Sequence, residues 1–274
     1  MIQVALVEGI RSAPQQGVRG TCEVCGAVLI SKCGPRVRHH WAHHRIRDCD
    51  PWWEVETDWH RNWKDRFPLE CREVVHHAGD GEIHRADIKA PGGIYVEVQH
   101  SQISDAERLS REHFYKNLIW IVDGRPFCRH FHLLHKLPDP TCELAQNLVW
   151  AKAKYNQQGT AGGMYWLVSR HQEHQPGATR ATLKPYIFYS EDRYIEDLLP
   201  KFYIGHHQYD WVRPHRTWLD ATCPVYLDFG GSWLWRFEIY DESGLRVVRR
   251  VNRAQLISNL MTATDPQTLL SENL

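Results

Sequence analysis

The stretch that decides the fold runs from Glu82 to Gln99 and reads EIHRADIKAPGGIYVEVQ. Polar and apolar residues alternate on both sides of Pro91-Gly92-Gly93, which is a strong turn signal. The pattern therefore predicts a β-hairpin with strands over 82–90 and 94–99.

This hairpin brings two carboxylates together. Asp87 and Glu97 are each five residues from Gly92, so their side chains are expected to face each other across the two strands. Opposed like charges destabilise a sheet unless a cation neutralises them, and a divalent ion bound by both carboxylates does so. Because side chains alternate along a strand, Gln99 shares a face with Glu97, while Val98 points to the core. The sequence thus predicts a divalent-cation site at Asp87 and Glu97, beside Gln99.

A helix is predicted before the hairpin. Asp50 followed by Pro51 is typical of an N-cap and a first-turn proline, and helical composition continues over 52–66. On this helix Glu56 and His60 are four residues apart and share a face. Glu56 is a candidate for holding a second ion or a metal-bound water, and His60 for carrying a proton or contacting a phosphate. The alternative is that both are ordinary residues of a packed or solvated helix.

The surrounding elements complete an order of helix, three strands, helix and strand. A first strand is predicted over 70–76, ahead of the hairpin. Ser104 and Glu107 form a capping box, which predicts a helix that ends near Tyr115. The apolar run over 118–122 predicts a buried strand.

A second group of candidate ligands lies near the N-terminus. Cys22 and Cys25 have Cys-x-x-Cys spacing, and His40, His43 and Cys49 follow close in sequence. Four of these five residues would complete a tetrahedral structural Zn²⁺ site. A redox pair is the alternative, but that motif requires a helix to start at the second cysteine, and the residues after it favour a strand.

Composition limits the classes of protein to which the chain can belong. The 274 residues include 33 basic and 33 acidic side chains, and 42% are hydrophobic. This composition excludes a disordered or collagen-like chain and argues against a protein that coats nucleic acid through bulk charge. No apolar run approaches the ~20 residues of a membrane span, so a soluble, cytoplasmic protein without membrane association is expected.

Four motifs together resemble the competence-protein CoiA family, a branch of the PD-(D/E)XK nuclease superfamily. They are His40-Trp41-Ala42-His43, Glu56-Thr57-Asp58-Trp59-His60, Arg85-Ala86-Asp87 and Glu97-Val98-Gln99. The resemblance spans about Cys22 to Gly124 and implies an α/β (α+β) fold class with a restriction-endonuclease-like core. The implied domains are an N-terminal zinc-finger-like module over 1–49, the nuclease-like core over 50–126 and a C-terminal α+β region over 127–274.

By this resemblance, Glu56 corresponds to the acidic residue of the first core helix, Asp87 to the metal-binding aspartate and Glu97 to the acidic residue of the third motif. Gln99 stands where many superfamily members carry a lysine, and the CoiA-like branch is similar in having glutamine there. The implied activity is hydrolysis of DNA phosphodiester bonds with Mg²⁺ or Mn²⁺ held by Asp87, Glu97 and the carbonyl of Val98.

The resemblance also implies contacts with DNA, single- or double-stranded. Ser101 and Arg108 are similar to polar positions near the family's site, and Arg108 is expected to contact a phosphate. Arg36 and Arg38 belong to a segment of net positive charge over 22–49, which either grips phosphates or forms a solvated face. Two rival functions stay open: a non-catalytic nucleic-acid-binding or interaction module, and a nuclease activated by a protein partner bound through the C-terminal region.

The C-terminal region carries weaker signals. A hairpin is predicted around Gly230-Gly231, and a helical segment over 148–155. Trp233 and Trp235 would share one face of a strand, where packing in the core or on a partner surface is preferred over stacking on nucleic-acid bases.

Overall fold

The computed structural model describes residues 2–45, 49–50, 52, 56–79, 81–150, 165–184, 192–266 and 268–271, and it is a mixed α+β protein rich in sheet. The strands are β1 (Ala5–Val7), β2 (Ile10–Ser12), β3 (Arg19–Thr21), β4 (Val28–Lys32), β5 (His40–His43), β6 (Arg72–His77), β7 (Ile83–Lys89), β8 (Tyr95–Gln99), β9 (Leu118–Asp123), β10 (Phe131–Lys136), β11 (Leu148–Trp150), β12 (Tyr165–Leu167), β13 (His206–Trp211), β14 (Val225–Asp228), β15 (Trp233–Ile239) and β16 (Arg246–Asn252). The α-helices are α1 (Asp58–Lys64), α2 (Asp105–Phe114), α3 (Glu143–Asn147), α4 (Asp192–Leu198), α5 (Arg216–Leu219), α6 (Arg253–Leu260) and α7 (Thr268–Ser271).

The chain forms two compact units. The first comprises Met1–Asp123, Ala221–Val225 and Ala254–Glu272, and the second comprises Gly124–Asp220, Tyr226–Arg253 and Asn273–Leu274. The three-part division of the sequence, with boundaries after residues 49 and 126, stays a prediction.

The first unit begins with a small antiparallel sheet in the strand order β2-β1-β3-β4-β5. Trp41 on β5 is almost fully buried at its centre, and its indole N–H donates to the Ser12 carbonyl at 3.0 Å. A Cβ atom at Gly20 would lie 2.9 Å from Ala5 Cβ and 3.3 Å from the Trp41 ring, so glycine allows β3 to pack this closely. The apolar core of this sheet is small: Ile2, Ala5, Cys22, Leu29 and Trp41.

The other strands of the first unit lie in the order β9-β8-β7-β6. β6, β7 and β8 pair antiparallel, whereas β9 pairs parallel to β8, with α2 as the crossover that a parallel pair requires. All six residues of β9 are buried, in keeping with the predicted apolar strand. The chain therefore passes through helix, three strands, helix and strand in the order that the sequence predicts.

The start of α1 differs from its prediction. Thr57 caps this helix by accepting from the His60 amide, whereas the proposed cap, Asp50, lies well before it. Asp50 instead accepts from the amides of Trp52 and Arg85 and from the imidazole of His84. Its carboxylate thus ties the chain to β7, and the predicted helix start at Asp50 is wrong. Residues 51 and 53–55 of that predicted helix lie outside the described residues.

The cap of α2 agrees with the sequence. The Ser104 hydroxyl accepts from the Glu107 amide at 3.1 Å, and the helix begins at Asp105. The capping box is therefore confirmed.

In the second unit the strands lie in the order β10-β13-β16-β15-β14. β14 and β15 form the predicted hairpin around Gly230 and Gly231. Residues 148–150, predicted as part of a helix, form β11 and pair antiparallel with β12, so that prediction is wrong for the part of the segment that the structure describes. Within the described residues, no helix combines the length and the apolar composition that crossing a bilayer requires.

Candidate active site and metal-binding cluster

Three cysteines and one histidine converge at the edge of the N-terminal sheet. The potential ligand atoms of Cys22, Cys25, His43 and Cys49 all lie within 4.8 Å of one another. Cys22 and Cys25 flank a tight turn in which the Gly26 amide donates to the Cys22 carbonyl, and Gly26 adopts a φ of 67° that favours glycine. Three thiols and an imidazole at these distances match the donors of a structural zinc site, so the cluster can hold a zinc ion.

The electrostatics of the cluster also favour a cation. Sγ of Cys22 lies 3.8 Å from Sγ of Cys49, and Cys25 Sγ lies 3.4 Å from Nε2 of His43. Burial, together with the negative charge of Cys22, raises the pKa of Cys49 to about 12. Thiolates packed this closely need a positive charge between them.

His40 is the fifth predicted ligand, and the structure leaves it out of the cluster. Its Nδ1 lies 2.8 Å from the carbonyl of Arg38. His40 and His43 stand at opposite ends of a four-residue strand, and only His43 reaches the cysteines.

Asp87 and Glu97 meet at a small cavity in the same unit. The antiparallel register of β7 and β8 pairs Lys89 with Tyr95 and Ile88 with Val96. Continued by one more pair, the same register places Asp87 opposite Glu97. The Asp87 amide donates to Oε1 of Glu97 at 3.4 Å, and both side chains line a cavity of about 70 Å³. The two residues therefore face each other as the turn spacing predicts.

The two carboxyl groups titrate very differently. Burial would raise the pKa of Asp87, but the charge and hydrogen bond of His60, together with Lys64 and the Val98 amide, hold that pKa well below its usual range. Burial and then the Asp87 charge raise the pKa of Glu97 to about 8, although Arg111 acts in the opposite direction. The pair thus favours one negative charge over two near neutral pH.

His60 and Glu56 both reach this cavity, from different parts of the chain around α1. Nε2 of His60 donates to Oδ1 of Asp87 at 2.7 Å, and Nδ1 of His60 is buried without a hydrogen-bond partner among the described residues. Glu56 precedes the cap Thr57, so the prediction that it lies on the helix is wrong. Its carboxylate is nevertheless buried and accepts from Gln3, Arg61 and Lys64.

Lys64 is the residue of this site that the sequence prediction missed most clearly. Its ammonium group lies 2.5 Å from Oε1 of Glu56, 2.8 Å from Oε1 of Glu73 and 3.7 Å from Oδ1 of Asp87. The side chain is only 4% exposed, and these carboxylates raise the pKa of Lys64 against the effect of burial. Lys64 is four residues after His60, one helical turn further on the same face, and this spacing was a signal in the sequence.

Glu73 was also missed, and its backbone is unusual. Its backbone adopts a φ of 47° on β6, a conformation that residues other than glycine rarely take. Its Oε2 accepts from the amides of Gln3 and Val4, and its Oε1 accepts from Lys64. Strain of this kind persists where surrounding contacts fix it, and it is common at functional sites.

Arg111 on α2 supplies the positive charge beside Glu97. It donates to Oε2 of Glu97 at 2.8 Å, to Glu107 and to the carbonyl of Trp52. Gln99, the neighbour predicted on the same face, donates its amide to the carbonyl and the hydroxyl of Ser101 at 3.3 and 3.2 Å. Gln99 also lines the cavity, so the predicted arrangement of Glu97 beside Gln99 is present.

The three arginines predicted to contact DNA occupy different environments. Arg108 is buried, and its guanidinium donates to Oε2 of Glu112 at 2.6 Å. Arg36 is exposed on the loop between β4 and β5. Arg38 is 46% exposed and lies 3.2 Å from Asp58, at the first turn of α1.

Arg85 joins the metal-binding cluster to the cavity. Its guanidinium donates to Sγ of Cys22 at 3.3 Å, and the same residue lines the cavity with Asp87 and Glu97. Its amide donates to Asp50, the residue that follows Cys49. Cys49, the third cysteine of the cluster, is thus only one residue from a carboxylate fixed to β7, the strand that carries Asp87.

Comparisons of the chain with protein-family models, with curated proteins and with solved structures gave no match.

Proposed function

We propose that the protein is a divalent-metal-dependent nuclease that hydrolyses DNA phosphodiester bonds, of the CoiA-like branch of the PD-(D/E)XK superfamily. One observation carries the proposal: Asp87 and Glu97 are opposed in a buried cavity, where the pKa of Glu97 is raised to about 8. A pair of carboxylates that resists double ionisation is stabilised by a cation of charge two.

The residues present fit a single Mg²⁺ or Mn²⁺. Asp87 and Glu97 would hold it with hard oxygen ligands, and the carbonyl of Val98 is the third expected ligand. A divalent ion bound there polarises the scissile phosphate and lowers the pKa of a water molecule. Since Lys64 already neutralises the neighbouring carboxylates, the geometry favours one ion over the two that the sequence left open.

The other side chains then have separate tasks. His60 orients Asp87 through the 2.7 Å hydrogen bond and can carry a proton at its second nitrogen. Gln99 on β8 carries no positive charge, and Lys64 on α1 supplies one beside Asp87 instead. Gln99 can orient water or a phosphate oxygen through its amide group once it leaves Ser101.

The order of elements supports the resemblance. The helix α1 with Glu56 just before its cap, an antiparallel β6-β7-β8 meander, a crossover helix and the parallel strand β9 follow the order expected of a restriction-endonuclease-like core. In this proposal the metal-binding cluster is a structural zinc module, and Arg36 and Arg38 on its exposed loop contact the DNA backbone.

The test is incubation of the full chain with linear, circular and single-stranded DNA in Mg²⁺ or Mn²⁺. We expect cleavage by the wild type, loss of cleavage in Asp87→Ala and Glu97→Ala, and full cleavage by Glu70→Ala, which removes an exposed carboxylate outside the cavity. All variants are checked for folding by circular dichroism. Absence of cleavage in every condition, with zinc bound and the fold intact, would contradict the proposal.

A non-catalytic nucleic-acid-binding module is the second candidate, and a specific observation favours it. His60 and Lys64 already contact Asp87, and Arg111 pairs with Glu97, so the buried network is well connected without a further ligand. This function predicts that the protein binds DNA in a salt-sensitive way without cleaving it. It also predicts that Glu97→Gln leaves the binding unchanged.

A further inference from the structure

One face of the sheet in the second unit combines aromatic rings with cations. We call it the aromatic-basic patch, and it consists of Lys136, Tyr203, His207, Trp233, Trp235 and Arg250. Along β15, Trp233 and Trp235 alternate with the buried residues Leu234 and Arg236. The two tryptophans therefore lie on the opposite face of the strand from these buried side chains. Trp233 is 38% exposed, so of the two packing roles that the sequence favours, the core and a partner surface, it does not take the first.

The rings and cations of the patch are in mutual contact. Arg250 is the register partner of Trp235, and its guanidinium lies 4.2 Å from the Trp233 ring and 5.6 Å from the Tyr203 ring. Lys136 lies 5.1 Å from the same tyrosine ring. The patch is therefore a continuous surface of π faces and positive charge, and not a set of isolated side chains.

The charge of this surface is unbalanced. In the part of the chain that the structure describes, no carboxylate lies within ion-pair distance of Arg250 or Lys136, whereas Arg246 at the other end of β16 approaches Asp220. Burial lowers the pKa of His207 to about 4, and the positive charges of Lys136 and Arg250 act in the same direction. The local potential is thus positive and complementary to a polyanion.

We propose that the aromatic-basic patch binds single-stranded nucleic acid, with bases stacked on Trp233 and Trp235 and phosphates bound by Arg250 and Lys136. Aromatic side chains beside unpaired cations on an open sheet are the elements with which proteins bind single strands without sequence preference. A duplex hides its base faces within the stack, so the two tryptophans favour a single strand.

The test is fluorescence anisotropy of a labelled oligothymidylate with the full chain, in buffer without added Mg²⁺ or Mn²⁺. We expect Trp233→Ala and Trp235→Ala to weaken binding by about fivefold to 150-fold each. Arg250→Ala should also weaken binding and reduce the salt slope by about 0.7. Ile239→Ala and Arg246→Ala are the matched controls, since these residues are exposed on the same strands, and both should bind like the wild type.

Three results would overturn the proposal: no binding by the wild type, binding that the three patch variants leave unchanged, or patch variants that alter self-association while binding stays the same. If Trp233→Ala does not fold, Trp233→Leu and Arg250→Gln give the same test, because both remove the interaction and lose less side-chain volume than alanine does. No step of this assay requires cleavage. Its outcome is therefore independent of the proposed nuclease activity, which Asp87→Ala tests.

Discussion

Replacing Glu97 with glutamine should change how the stability of the protein depends on pH. The Glu97 side chain is 5% exposed, and burial and the Asp87 charge raise its pKa from 4.5 to about 8. Between these two values the folded protein keeps a proton that the unfolded chain releases. The stability from this group is therefore fully present below pH 4.5 and is lost as the pH rises through about 8.

The size of the effect follows from this window. Between pH 4.5 and about pH 8, each pH unit lowers the unfolding free energy of the wild type by ~1.4 kcal/mol. A rise from about pH 5.5 to about pH 7.5 therefore lowers it by ~3 kcal/mol. Glutamine has the shape of the protonated acid and does not titrate. The free energy of unfolding of Glu97→Gln minus that of the wild type should thus increase by ~3 kcal/mol over this range.

The assay is urea unfolding of both proteins at a series of pH values without added divalent ions. Histidines titrate in the same range, but they contribute to both proteins and cancel in the difference. Asp87→Asn should lower the pKa of Glu97 and reduce the pH dependence as well, because it removes the neighbouring charge. Saturating Mg²⁺ near pH 8 should stabilise the wild type and not Glu97→Gln. Parallel stability curves for the wild type and Glu97→Gln would refute the reasoning.

Three further predictions concern metal content, charge and packing. Elemental analysis should find one zinc ion per chain, lost in Cys25→Ser and retained in His40→Ala; a zinc-free wild type would contradict the assignment. Lys64→Met should lower the unfolding free energy by about 3–5 kcal/mol in urea, because it leaves buried carboxylates without their cation; an unchanged midpoint would count against the ion-pair network. Gly92→Ala should cost about 3 kcal/mol, since its Cβ would lie 1.8 Å from a backbone oxygen. Gly79→Ala, with nothing within 4 Å, should unfold like the wild type.

The parts of the site that the sequence predicts are those that local spacing determines. The position of Gly92 sets the hairpin register, and the register sets Asp87 against Glu97. Cys22 and Cys25 lie on one turn, so their convergence also follows from short-range geometry. In each case fewer than a dozen residues decide the outcome.

The rest depends on contacts between distant segments. Glu73 reaches Gln3, 70 residues away, and Arg111 reaches Glu97 from the following helix. Neither contact has a periodic signal in the sequence. The helix prediction at Asp50 failed for the same reason, because hydrogen bonds to His84 and Arg85, 34 and 35 residues further along the chain, outweighed a local capping preference.

The arrangement of charges indicates which carboxylates of the cavity are suited to bind a divalent ion. Glu56 and Glu73 each have Lys64 within 3 Å, and the positive charges of Lys64 and Arg85 hold the pKa of Glu73 low in spite of complete burial. Glu97 has Arg111 equally close, yet its pKa still rises to about 8. Glu73 thus has two cations to oppose the effect of burial, whereas at Glu97 one guanidinium opposes both burial and the Asp87 charge. A divalent ion bound between Asp87 and Glu97 would stabilise the charged form of both carboxylates, and this effect favours the metal-dependent proposal over the silent module.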